Sequence, residues 1–77
     1  MELDHNRIDD AVLALMYLGL HEQILAWKGF DWDAMDRLHE KGFISSPRSK
    51  AKSVVFTAEG LERAKLLLKQ LFGAPGN

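Results

Sequence analysis

Two short runs decide how this chain folds: Phe43-Ile44-Ser45 and Ser53-Val54-Val55-Phe56-Thr57. Both are β-branched or aromatic and bounded by turn formers, which is the signature of strands. Between them Ser46-Pro47-Arg48-Ser49-Lys50-Ala51-Lys52 is polar and basic, the composition of a hairpin loop. Gly42 marks where a helical period stops, and Thr57 is positioned to cap the helix that follows. In that last helix Leu61, Ala64, Leu67, Leu68, Leu71 and Phe72 form the buried stripe.

Upstream of Gly42 the pattern is helical. Asn6 or Asp4 can cap a first helix, with Asp9 and Asp10 in its first turns, where the macrodipole favours negative charge. Ile8, Val12, Leu15 and Gly19 recur at helical spacing, with Leu13, Met16 and Leu20 beside them. Only Asp10, Ala14, Tyr17 and His21 mark an opposite side. A helix this apolar is either central to the core or shared with a second subunit. Residues 22–30 read as a short second helix ending at Gly29. A third starts at the N-cap Asp31, holds Ala34, Met35 and Leu38 inward, and turns Asp33, Asp36, Arg37, Glu40 and Lys41 outward. The expected fold is α+β in the order α-α-α-β-β-α, one domain over residues 1–73 with a disordered tail at 74–77.

Composition bounds the rest. The chain has 77 residues, no cysteine, 47% hydrophobic and 27% charged residues, the profile of one globular domain without disulfides or thiolate metal sites. The longest near-apolar run, Ala11 to Leu20, is about half a membrane span. The opening Met1-Glu2-Leu3-Asp4 is acidic where a signal peptide would be basic, so a cytoplasmic location is expected. Nine acids against three bases occupy residues 1–40, and seven bases against two acids occupy residues 41–77. Such a split fits an anionic partner for the basic half, or complementarity within or between copies of the chain. At this length burial and ordering nearly cancel, so self-association would be a natural source of added stability.

The series Asp36-Arg37-Leu38-His39-Glu40-Lys41-Gly42-Phe43-Ile44, a basic hairpin, then Ser53-Val54-Val55-Phe56-Thr57-Ala58-Glu59-Gly60-Leu61 resembles the C-terminal half of winged-helix regulators of the multiple-antibiotic-resistance and phenolic-acid-regulator types. That resemblance implies a winged-helix-like fold in which the helix before Gly42 is the recognition helix and the hairpin is the wing. Residues 22–41 would then supply a helix-turn-helix turning at Lys28 to Asp31. Over nearly the whole chain the sequence is also similar to a family of small bacterial proteins of unknown function. The similarity lies in the stretch from Ile8 to Leu18, in Ala26-Trp27-Lys28-Gly29-Phe30-Asp31-Trp32-Asp33, and in the stretch from Lys50 to Thr57. This implies a shared fold and carries no activity with it.

Function is argued from charge and apolar placement. Lys41, Arg48, Lys50 and Lys52 place four positive charges and no acid between residues 41 and 52, and are the candidate phosphate contacts for a nucleic acid. The recognition helix speaks against base reading. Asp33, Asp36 and Glu40 outnumber Arg37 on its outward face, and an acidic helix is repelled by an anionic groove. Leu66 stands among charges on the last helix and, with Leu13 and Leu20 of the first, is a candidate interface residue. Trp27, Phe30 and Trp32 read first as core and second as interface. His5, His21 and His39 lack the spacing of a helical metal site, and no serine has a partner at a telling spacing. The expectation is a non-enzymatic binding module, with no cofactor, metal, small-molecule substrate or membrane partner, working by protein contact and as a homodimer. The alternative is a DNA-binding regulator contacting phosphates through the basic wing.

Overall fold

The computed structural model describes residues 1–75. Its elements in chain order are α1 (His5–Leu18), β1 (Leu25–Trp27), α2 (Trp32–Glu40), β2 (Ser53–Val55) and α3 (Ala58–Phe72). The class is α+β, as the patterning predicts, but the order differs at one place. Residues 22–30, expected to be a short helix, instead contain β1. This strand pairs antiparallel with β2, setting Leu25 opposite Val55, Ala26 opposite Val54 and Trp27 opposite Ser53. Glu, Gln, Leu and Ala are good helix formers, so local preference points the wrong way here. Pairing with β2 overrides it by satisfying backbone groups that a lone strand edge would leave open.

The entry to β1 is a tight reversal. The His21 amide donates to the Leu25 carbonyl at 2.8 Å, and the Leu25 amide donates back to His21 at 3.0 Å. Glu22 and Gln23 form the tip with φ of 51° and 74°, a left-handed conformation that costs roughly 1–2 kcal/mol per non-glycine residue.

β2 is the middle of three extended segments. The Phe56 amide donates to the Ile24 carbonyl at 2.8 Å on the β1 side. On the other side the Thr57 amide donates to Phe43 at 3.0 Å, and the Val55 carbonyl accepts from Ser45 at 2.8 Å. The run Phe43-Ile44-Ser45, expected to be a full strand, is reduced to a bridge in which Ile44 faces Phe56. Ala26, Ile44, Val54 and Phe56 are buried, while Trp27 and Val55 face outward, the two-residue alternation of a sheet covered on one side.

The helices start where their caps predict. Asp4 accepts from the amides of Asn6 and Arg7, Asp31 from Ala34, and the Thr57 hydroxyl from Gly60. The same hydroxyl donates to the Gly42 carbonyl at 2.7 Å, tying the start of α3 to the end of α2. Gly42, with φ of 82°, takes the left-handed position that ends α2. Gly60 packs its backbone against Phe43. A Cβ at this position would fall on the Phe43 carbonyl oxygen and lie 2.8 Å from its carbonyl carbon.

α1 lies at the centre, packed against both α2 and α3. Val12, Leu13 and Met16 are buried, and so is Ala14, which was expected on the open side. Leu15, expected inward, is exposed. The broad apolar arc is explained by a helix with two covered sides, to which α2 contributes Ala34, Met35 and Leu38, and α3 Ala64 and Leu67. After α3, Ala74 and Pro75 are exposed and non-helical. The rest of the expected tail, Gly76 and Asn77, lies outside the described residues. No described helix is long and apolar enough to cross a membrane.

Candidate functional site

The four candidate cations divide into two groups. Lys41 belongs to an ion cluster built on a buried carboxylate. Its Nζ lies 3.0 Å from Oδ2 of Asp9 and 3.2 Å from Oδ1 of Asn6. Arg37 meets the same carboxylate: its Nε lies 3.0 and 2.9 Å from the two oxygens, and a terminal nitrogen lies 2.8 Å from Oδ1. Asp9 is fully buried. Burial alone would push its carboxyl pKa up, but hydrogen bonds from Arg37 and Lys41, with their charges, hold it below the usual carboxylate range. Arg37 and Lys41, read as outward-facing, therefore lock α2 onto α1. Sequence reasoning assigned Asp9 to the helix dipole and missed this role. The available signal was its place on the Val12-Leu13-Met16 face, where a carboxylate needs a cation.

Arg48 leans back onto α2. Its guanidinium makes a two-pronged ion pair with Asp36 and lies 5.1 Å over the Trp32 ring, a cation–π arrangement. The pair holds the Asp36 carboxyl below its ordinary pKa. Lys28, just beyond β1, reaches across to the loop, its Nζ donating to the Ser49 carbonyl at 2.8 Å. Lys50 and Lys52 are exposed and form no ion pair among the described residues. Pro47 is buried and anchors the loop from within.

The aromatic residues overturn their first reading as core. Phe30 packs partly against the core, but Trp27 is 56% and Trp32 48% exposed. Trp27 has one face covered by His21, stacked at a centroid distance of 4.2 Å and an angle of 23°. That imidazole is placed by the Ser53 hydroxyl, 3.3 Å from Nε2. His39 is hydrogen-bonded, Nδ1 lying 3.0 Å from the Ile44 carbonyl; a carbonyl only accepts, so Nδ1 carries the proton. No group of three His, Asp or Glu residues is arranged to hold a metal among the described residues.

The interface candidates separate as well. Leu13 is fully buried in the chain's own core and cannot face a partner, which corrects its assignment. Leu20 is half-buried against that core. Leu66 is exposed, as are Leu15 and Leu18 on α1; Leu71 and Phe72, expected in the buried stripe of the last helix, are also about half exposed, because the core ends at Leu67 and Leu68.

Among known proteins, the "Uncharacterized protein y4hR" of Sinorhizobium fredii (strain NBRC 101917 / NGR234) is similar at 57% identity over 72 residues, covering 94% of this chain and 97% of that protein. No solved structure matches. A family model described as "Domain of unknown function (DUF6429)" matches residues 4–74. With that match spanning α1 through α3, the chain belongs to the DUF6429 family.

Proposed function

We propose that the domain is a non-catalytic, winged-helix-like binding module that pairs its helical surface with another protein, a second copy of itself in the first instance. The observation that carries this reading is the set of apolar side chains left open on α1 and α3: Leu15 and Leu18, three residues apart on one helix face, Leu66 in the middle of α3, and Leu71 and Phe72 at its end. A core of this size supplies little stability. Removing the exposed part of each such side chain from water is worth about 1 kcal/mol.

The winged-helix reading is supported by the arrangement around β2, flanked by β1 on one side and Ile44 on the other, with the basic loop leading into it. One part of that architecture has no counterpart. Only residues 28–31 separate β1 from α2, leaving no helix to partner α2 in a helix-turn-helix. With Arg37 and Lys41 engaged on Asp9, the open side of α2 is left acidic. These two features favour protein contact over duplex reading.

The test is molecular mass by light scattering across a wide range of protein concentration, for the parent chain and for Leu18→Glu and Leu66→Glu. A dimer that either substitution shifts to monomer, with an unchanged circular dichroism spectrum, supports the reading. A parent chain that stays monomeric at its highest concentration overturns self-association.

A further inference from the structure

We infer that the surface carrying Trp27 and Trp32 binds single-stranded nucleic acid, the indoles stacking on bases while Lys50 and Lys52 meet the phosphates. This site uses none of the leucines of the helical surface, so it stands or falls apart from the protein-contact reading.

The residues are linked by a chain of contacts. Trp27 pairs with Ser53 in the sheet, and Lys52 adjoins Ser53 in sequence. Lys28 follows Trp27 and binds the Ser49 carbonyl. Arg48, next to Ser49, lies over Trp32. The two half-exposed indoles, one on the open face of the sheet and one at the start of α2, are thus joined through the 46–52 loop that carries Arg48, Lys50 and Lys52.

Each ring is supported from one side, Trp27 by His21 and Trp32 by Arg48. A supported ring loses little further freedom when a base lies on it, and any base will serve, because every base has a π-face. Lys50 and Lys52 are exposed and unengaged, while Arg48 stays paired with Asp36 and backs the Trp32 ring.

The geometry favours a single strand over a duplex. Asp33, Asp36 and Glu40 lie on α2, next to the site, and would meet phosphate walls on both sides of a groove. An unpaired strand can lay its bases on the indoles and keep its backbone on the lysine side. An acidic protein segment would satisfy the cations but has no reason to cover the rings.

The test is quenching of intrinsic tryptophan fluorescence by oligothymidylate, by a mixed-sequence duplex of equal length and by polyglutamate, at about 50 and about 200 mM salt. Oligothymidylate is expected to quench and to bind most tightly. Trp27→Ala should weaken binding roughly 5- to 150-fold, and Trp27→Phe should retain most of it. Joint replacement of Lys50 and Lys52 by alanine should reduce the salt slope by about 1.4, a readout that survives if the tryptophan variant folds poorly. Duplex or polyglutamate binding as tight as the single strand overturns the proposal. So does binding without quenching, or no binding at the lower salt.

Discussion

The helical side of this domain and its sheet side use the same residue types to opposite ends. Around Asp9, two partly exposed cations close on one buried acid, and Arg37 and Lys41 are already engaged there. Around β1 and the 46–52 loop, two lysines and two tryptophans stay open. A charge count along the chain treats Lys41 and Lys50 alike, although one is a fastener and the other is free. What separates them is whether a buried group of opposite sign lies within reach.

The sharpest way to break this contrast is Asp9→Asn. It leaves two cations facing a neutral amide in a buried place, and stability should fall by about 2–4 kcal/mol, near the low end for a broken buried pair because Arg37 and Lys41 keep partial access to water. Chemical denaturation read by circular dichroism measures the loss. The next largest effect is expected from Gly60→Ala, which forces the start of α3 away from the Phe43 carbonyl and should cost about 1–3 kcal/mol.

Acid should expose the helical side as the vulnerable one. The Asp9 carboxyl sits below its unfolded pKa, so its contribution is complete above the ordinary carboxylate range and is lost as pH falls through the lowered folded value. Asp9→Asn should flatten the acid limb of a stability–pH curve, and an unchanged limb would remove Asp9 as its source. On the sheet side the expected stability effects are small. Gln23→Gly should stabilise by about 0.5–1 kcal/mol, because glycine accepts the left-handed tip without strain. A destabilised Gln23→Gly variant would mean that the Gln23 side chain holds the turn.

Much of the architecture was legible in sequence. Asp31, Thr57 and Gly42 announced their helix ends because capping is local chemistry, written within a few residues of where it acts. The misread segment, residues 22–30, is helical by propensity and a strand only because β2 needs a partner; that need is written in residues 53–57, not in its own. The candidate site was half legible. Loop charges could be counted, but the engagement of Lys41 by Asp9 and of Arg48 by Asp36 depends on distances between separate elements. The tryptophans were misjudged for a related reason. Size and apolarity suggest core, yet the core is made by Leu13, Met16, Met35, Leu38 and Phe56, and both indoles stay about half exposed.

The central place of β2 also sets an order of assembly. Its bridge to Ile44 closes a short stretch of chain, whereas its pairing with β1 joins residues far apart and closes a loop around all of α2. Loop closure is costlier over the longer distance. The 44–56 hairpin is therefore expected to form early, with β1 docking late and leaving first. Amide exchange at Ala26 should then proceed through a partial opening, while the amides in the middle of α1 wait for the whole domain to unfold. Docking late, β1 would complete the core as well as the sheet, because Ala26 brings its side chain inward while its neighbour Trp27 stays outside.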